Sequence, residues 1–374
     1  MLKDAVAVFD IGSSKVTGLI GENGINKNFI IRAISEVRHE GFCDGVLDNP
    51  QSLISALRSA FKSVSETAKA RIDEVFVGVP GDFTVIENRQ HRVYYNRRKK
   101  LRSKDVNEFL SEAGSTVLKN GYEVVSRHGV FYYLDGERRV ENLLNEVTSS
   151  VNGYITFFLA ENHFLGAVRS AFSSLGVKKI TFVPSSLAES LFLFSPAERF
   201  SYILLLDVGY ISSSFSVCFG GGLLYHKSFP IGGGHITAYL FDRLKIDDFE
   251  LAERIKRRLN LSVPKEAEST YELTWGEEIL TFSQKDCNDI ARSVIGNIAE
   301  QVDKALAESR VKLPHNLPVS LIGGGISYIR GGKEHLGACI EMPVNVICPP
   351  IAYMSKPDDS SKLALLNYAL NLSE

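Results

Sequence analysis

Two stretches of the chain carry the same order of apolar and polar positions. Near the start, the apolar residues 5–9 run into Asp10-Ile11-Gly12, and a polar turn and a second, half-apolar run up to residue 20 follow. Such an apolar run is typical of a buried strand, so the pattern predicts a β-hairpin with a carboxylate at its bend. Residues 202–219 repeat the pattern around Asp207-Val208-Gly209. This repeat predicts a duplicated fold with one such hairpin in each half.

The turn of the first hairpin contains groups that suit a phosphate. A glycine lets backbone N–H groups approach an anion closely, and two hydroxyls and an ammonium group follow it. These residues are Gly12, Ser13, Ser14 and Lys15. Taken alone, each motif also fits an ordinary hairpin turn, which favours Asp and Gly as well. If both hairpins face one cleft, Asp10 and Asp207 lie on either side of a polyphosphate, and Mg²⁺ suits them because it keeps most of its water ligands.

Helical and strand-like periods alternate along most of the remaining chain. Asn49-Pro50 is a typical helix start, and the apolar residues that follow fall on one helical face. Ser283 is likewise predicted to cap a long helix later in the chain. Residues 83–163 differ, because they mix several strand-like runs with one helix that starts at Ser103, and they predict an inserted α+β subdomain. The basic run 97–104 within it fits a solvated hairpin tip better than a lipid or nucleic-acid contact, because no stacking aromatics interleave the charges.

Two later glycine clusters add candidate ligand contacts. Gly232-Gly233-Gly234 precedes the apolar start of a helix at 236, so its amides could meet a phosphate or belong to an ordinary loop. Gly323-Gly324-Gly325 follows a buried strand and precedes Ser327. Such a turn offers bare backbone on which a flat ring or a sugar can lie.

Composition narrows the class of protein. The 374 residues are 44% hydrophobic and 23% charged, with a net charge of −2, which gives no overall attraction to nucleic acid or to anionic lipid. Five cysteines without a Cys-x-x-Cys pair favour neither a disulfide framework nor a zinc site. No apolar stretch reaches the length of a membrane span, and the start of the chain lacks the layout of a signal peptide. We therefore expect a cytoplasmic protein of at least two domains.

In this order, the motifs resemble those of the actin, Hsp70 and sugar-kinase superfamily. The two Asp-x-Gly hairpins are similar to the two phosphate motifs of this superfamily. The glycine turn at 323–325 is similar to its adenosine motif. The segment after Pro80-Gly81 resembles the inserted subdomain of the bacterial actin-like cell-division protein FtsA, and residues 361–370 resemble the last core helix of that family. The resemblance implies a duplicated, actin-like (RNase H-like) two-lobe α/β fold with an inserted FtsA-type subdomain.

The resemblance divides the chain into four parts. Lobe 1 comprises 1–82, 164–197 and 352–374, and the insertion is 83–163. Lobe 2 comprises 198–234 and 300–351, with a smaller subdomain at 235–299.

The resemblance also implies ATP and Mg²⁺ as ligands of the cleft between the lobes. It assigns Mg²⁺, held through water, to Asp10 and Asp207, and phosphate contacts to the serines and the lysine of the first turn. It assigns ribose and base contacts to Glu253 and Lys256. The implied nucleotide-binding residues are Asp10, Gly12, Ser13, Ser14, Lys15, Asp207, Gly209, Gly232, Gly233, Gly234, Glu253, Lys256, Gly323, Gly324, Gly325 and Ser327.

Three departures from the family pattern qualify these expectations. Tyr210 and Ile211 stand where the family has glycines in the second phosphate loop, and residues 183–186 lack the Glu or Gln that orients water in hydrolytic relatives. Both predict an ATPase that is slow at most. The family usually continues beyond its last core helix into a basic amphipathic helix, whereas this sequence ends at Glu374, so we expect no intrinsic membrane anchor.

FtsA-like proteins polymerise and tether the tubulin-like division protein FtsZ. The resemblance therefore predicts self-association, an FtsZ-like partner and other division proteins, no nucleic-acid partner, and a place at the inner face of the membrane through those partners. A pilus-assembly adaptor of the PilM type, which binds a partner peptide, is the alternative. A small-molecule kinase of the same superfamily would need an Asp general base, for which the sequence offers no candidate, and a member that no longer binds nucleotide is a further alternative.

Overall fold

A computed structural model describes residues 5–25, 28–264 and 269–373. The strands are β1 (Ala5–Ile11), β2 (Lys15–Asn23), β3 (Phe29–Arg38), β4 (Phe42–Cys43), β5 (Val46–Leu47), β6 (Glu74–Val79), β7 (Thr84–Lys100), β8 (Tyr122–Leu134), β9 (Arg138–Val140), β10 (Val147–Glu161), β11 (Lys179–Pro184), β12 (Ile203–Val208), β13 (Ser213–Phe219), β14 (Gly222–Phe229), β15 (Thr270–Trp275), β16 (Glu278–Ser283), β17 (Val319–Ile322) and β18 (Val344–Val346). The helices are α1 (Pro50–Ala68), α2 (Ser103–Ala113), α3 (Asn162–Ser173), α4 (Ser185–Leu193), α5 (Pro196–Arg199), α6 (Gly233–Arg243), α7 (Phe249–Lys256), α8 (Gln284–Ser309), α9 (Gly332–Ile340) and α10 (Ser360–Ser373).

Two five-stranded sheets share one topology. The first has the order β3-β2-β1-β6-β11 and the second the order β14-β13-β12-β17-β18. In each sheet the hairpin strand that carries the Asp-x-Gly motif pairs antiparallel with the next strand of the chain and parallel with a later strand. The repeated sequence pattern therefore corresponds to a repeated sheet, one in each lobe.

Helices cover both faces of the first sheet. Apolar residues of α1 and α3 form one core with the sheet, and those of α4 and α10 form a second core on the opposite face. The predicted start of α1 is confirmed, because the Asn49 side chain accepts a hydrogen bond from the Ser52 amide at 3.2 Å and Pro50 is the first helical residue. The predicted Ser283 cap of α8 is confirmed in the same way.

The second lobe has a single large core. The long helix α8 packs its buried stripe against the sheet and against α6, α7 and α9. The β15–β16 hairpin covers the end of this core through Tyr271 and Leu273. No helix in the described residues is long and apolar enough to cross a membrane.

The segment predicted as an insertion forms a third sheet, with the order β7-β10-β8-β9, and α2 packs on it. This sheet also touches lobe 2. The Asn88 side chain donates to the Leu224 carbonyl oxygen at 2.9 Å, and the Gly221 amide donates to the Val130 carbonyl oxygen at 3.0 Å. The insertion therefore connects the two lobes at a second place besides the cleft.

Candidate functional site

A cavity of about 620 Å³ lies between the two lobes, where both Asp-x-Gly hairpins point. Most of the residues that the sequence predicted for a nucleotide line this cavity. They are Asp10, Gly12, Ser13, Ser14, Lys15, Asp207, Gly209, Glu253, Lys256, Gly323, Gly324 and Gly325. Gly232, Gly233, Gly234 and Ser327 do not line it, which differs from the prediction.

Each hairpin tip is closed by one backbone hydrogen bond. The Gly12 amide donates to the Lys15 carbonyl oxygen at 2.9 Å, and the Gly209 amide donates to the Ser212 carbonyl oxygen at 3.0 Å. The Lys15 ammonium group forms an ion pair with Glu36 at 2.7 Å. The two tips therefore have the same geometry, and the lysine that was predicted to contact phosphate is neutralised within lobe 1.

Three carboxylates lie together at the base of the cavity. Asp10 accepts a hydrogen bond from the Ser361 hydroxyl at 2.7 Å. Burial raises the pKa of Asp10, and burial together with the charge of Asp10 raises the pKa of Asp207 to about 7. Burial and the charges of both aspartates also raise the pKa of Glu189. Such uncompensated acidic groups would be stabilised by a cation.

Glu189 is a site residue that the sequence reasoning missed. It lies on α4, its side chain is buried, and its Oε1 atom has no hydrogen-bond partner. The family pattern predicts an acidic or amide side chain at residues 183–186, whereas the carboxylate enters the cavity from a position one helical turn later. One signal could have found it, because Glu189 is the only charged residue between 183 and 194.

Behind the hairpin tips is a smaller chamber of about 110 Å³. Asp82, in the turn after β6, joins the three carboxylates there, and the Ser212 hydroxyl of lobe 2 donates to it. Burial raises the pKa of Asp82 to about 6. The chamber is therefore a polar contact region in which the two lobes meet.

The opposite end of the cavity carries a buried ion pair. The Lys256 ammonium lies 2.6 Å from Glu253, which also accepts a hydrogen bond from Thr237 at 2.7 Å. The Tyr210 ring faces Lys256 with 5.2 Å between the ammonium nitrogen and the ring centroid. The pair was predicted for ribose and base, and it lies beside the tyrosine that departs from the family pattern.

The later glycine turn forms one wall of the cavity. Gly323 has a φ of +80°, and the amide of Gly325 donates to the Val208 carbonyl oxygen at 2.8 Å. A Cβ atom on Gly325 would lie 2.7 Å from that same oxygen, so the turn has no room for side chains. The wall is therefore bare backbone, as the sequence predicted for a surface on which a ring or a sugar lies.

The first glycine cluster has a different role from the predicted one. The Gly233 amide donates to the Gly209 carbonyl oxygen at 2.9 Å, and the Gly234 amide donates to the Tyr210 carbonyl oxygen at 2.6 Å. The amides at the start of α6 are thus bonded to the second hairpin tip. His235, which directly precedes the helix start predicted at 236, lies in the first turn of α6 and accepts a hydrogen bond from the Gly232 amide through Nδ1.

Comparison with known proteins shows a resemblance along nearly the whole chain. Eight curated relatives, each named Cell division protein FtsA, are 18–22% identical to it. The protein from Pseudomonas aeruginosa is 22% identical over 356 residues, which cover 91% of this chain and 81% of the relative. The protein from Streptococcus pneumoniae is 22% identical over 370 residues, which cover 98% of this chain and 80% of the relative. No family model matches the chain.

Solved structures identify the fold. The PilM–PilN type IV pilus biogenesis complex contains a chain that matches with a TM-score of 0.66 and 16% identity, over 98% of each chain. MreB5 of Spiroplasma citri, solved with ADP, matches with a TM-score of 0.59 and 10% identity over 99% of this chain and 97% of that one. The predicted actin-like two-lobe fold is confirmed, and so is the resemblance to FtsA proteins.

Proposed function

We propose that this protein is an actin-fold component of bacterial cell division that binds a magnesium-bound adenine nucleotide between its lobes. Similarity to FtsA proteins over most of the chain carries the cell-division part of the proposal. The cavity between the two hairpins supports the nucleotide part, together with a structural neighbour that was solved with ADP. In this role the protein assembles into filaments and links an FtsZ-like ring to other division proteins, at the inner face of the membrane through those partners.

The residues of the cavity fit a magnesium ion that is held through its water shell. In the described residues, no group of three His, Cys, Asp or Glu side chains is arranged to hold a metal directly. Asp10 and Asp207 are buried carboxylates at the base of the cavity, and Glu189 adds a buried oxygen without a partner. Mg²⁺ keeps several waters and needs only one or two carboxylates besides phosphates. When bound, the ion would neutralise phosphate charge beside these carboxylates.

The backbone and side chains of the cavity would then position the nucleotide. The turn Gly323–Gly325 would lie under the nucleoside, and Glu253 would accept hydrogen bonds from ribose hydroxyls. The hydroxyls of Ser13 and Ser14 would meet phosphate from lobe 1. Turnover in this proposal is slow or absent, because Tyr210 and Ile211 occupy the second phosphate loop.

Thermal unfolding with and without Mg-ATP tests nucleotide binding. A ligand that binds only the folded state at a hundredfold excess over its Kd adds about 2.7 kcal/mol to the free energy of unfolding. We expect a magnesium-dependent rise of the midpoint for the unmodified protein and none for Asp207→Asn. Asp303→Asn is the matched control, because Asp303 is an exposed aspartate on α8 that does not line the cavity. An unchanged midpoint of the unmodified protein at millimolar Mg-ATP would contradict the proposal.

A pilus-assembly adaptor remains the second candidate, because the chain from the PilM–PilN complex matches 98% of this chain with a TM-score of 0.66. Affinity purification of the tagged protein from its own cells separates the two. We expect the FtsZ-like protein and other division proteins to be enriched over an untagged control. Enrichment of pilus-assembly proteins without them would favour the adaptor instead.

A further inference from the structure

The two hairpin tips touch each other directly across the cleft. The Ile211 amide at the tip of the lobe 2 hairpin donates to the Ser13 hydroxyl at the tip of the lobe 1 hairpin, at 3.0 Å. The Ile211 amide is therefore occupied and is not free to donate to a terminal phosphate between the tips. The Ser13 hydroxyl accepts in this bond and keeps its own O–H for donation.

The backbone donors behind the second tip are also occupied. Helix N-termini attract anions because their first amides lack partners within the helix. At the start of α6, the Gly233 amide bonds to the Gly209 carbonyl oxygen and the Gly234 amide to the Tyr210 carbonyl oxygen. Exchanging a satisfied hydrogen bond for one to phosphate gains little net free energy.

The Tyr210 ring holds these carbonyl groups in place. The ring lies against the first turn of α6, where a Cβ atom on Gly234 would be 2.9 Å from a ring carbon. The ring also faces the Lys256 ammonium group, which forms an ion pair with Glu253. The backbone of Tyr210 therefore cannot turn away from α6 without losing both ring contacts.

We infer that the cleft does not distinguish a nucleoside triphosphate from a nucleoside diphosphate, and that Tyr210 is the residue that removes this discrimination. The inference rests on the nucleotide binding proposed above and specifies its ligand. The nucleoside wall, the carboxylates for magnesium and the hydroxyl of Ser14 serve both ligands equally. A third phosphate gains no donor from the amides of Ile211, Gly233 and Gly234, because each of them is already bonded.

Isothermal titration with Mg-ADP and with the magnesium complex of a non-hydrolysable ATP analogue tests the inference. We expect the two Kd values of the unmodified protein to agree within about threefold, and the same for Tyr210→Phe, which keeps the ring. In Tyr210→Ala the ring contacts are gone and the tip can release the α6 amides. We therefore expect this variant to prefer the triphosphate by tenfold or more.

The titrations can contradict the inference, the role of Tyr210 or the proposed function, and each by a different result. A tenfold preference of the unmodified protein for the triphosphate overturns the inference and leaves nucleotide binding intact. Equal affinities in Tyr210→Ala overturn the role of Tyr210. Binding of neither nucleotide by the unmodified protein contradicts the proposed function itself. If Tyr210→Ala does not fold, Tyr210→Gly takes its place, because it also removes the ring. Comparing its far-ultraviolet circular dichroism with that of Tyr210→Phe shows whether it is folded.

Discussion

Replacing Gly220 with alanine is expected to lower the free energy of unfolding by about 3–4 kcal/mol, at the upper end of single substitutions. Gly220 lies in the turn between β13 and β14, with a φ of +55°, a conformation that costs other residues about 1–2 kcal/mol. In addition, a Cβ atom there would overlap the carbonyl oxygen of Val130, a backbone atom of the insertion. Neither backbone can move without cost, because the residues that flank Val130 and Gly220 are paired in strands. Urea unfolding measures the loss.

Gly136→Ala is the matched control for this substitution. Gly136 also lies in a hairpin turn with a positive φ of +85°, but no atom lies within 4 Å of the position of its Cβ. We expect Gly136→Ala to lower the free energy of unfolding by about 1–2 kcal/mol, because only the conformational cost applies there. Equal losses in the two variants would contradict the prediction, because they would mean that the overlap with Val130 is relieved without cost.

The protein is expected to lose about 2–3 kcal/mol of stability relative to its Asp82→Asn variant as the pH rises from 4 to 7. Burial raises the pKa of Asp82 from 3.8 to about 6, so the folded state holds a proton that the unfolded state releases between these values. The stabilisation is complete below the unfolded pKa and is lost as the pH rises through the folded pKa. Asparagine does not titrate, so the difference between the two proteins isolates this group.

Denaturant unfolding of both proteins at half-unit steps from pH 4 to pH 7 gives this difference directly. The charge of Asp82 also raises the pKa of Asp207, so its removal adds to the effect in the same direction. Asp247→Asn serves as the control, since Asp247 is exposed and lies outside both cavities. A constant difference between wild type and Asp82→Asn across this range would show that Asp82 is ionised and solvated in the folded protein.

The sequence predicted the duplicated hairpins well, because their signals are local. A strand that is buried on both faces needs a continuous apolar run, and the turn after it needs residues such as Asp, Gly and Ser. Both requirements are visible at Asp10 and again at Asp207. The same holds for the caps at Asn49 and Ser283, where one side chain satisfies a nearby amide.

What the sequence could not supply is the pairing of groups that are far apart along the chain. The amides of Gly233 and Gly234 point to the second hairpin tip and not into the cavity, because the carbonyl groups of Gly209 and Tyr210 lie within hydrogen-bond distance of them. Nothing in the spacing of the glycines encodes that preference. Glu189 was missed for a related reason, since only the packing of α4 against the hairpins shows which of its faces meets the cavity.

The turn of lobe 2 that rests on Val130 of the insertion lies apart from the contacts that join the lobes in the cleft, which include the bonds from Ile211 to Ser13 and from Ser212 to Asp82. Sliding or twisting of one lobe over the other would therefore have to break contacts at two separate places. A partner that grips the insertion would act on how the two lobes move relative to each other, without entering the cleft.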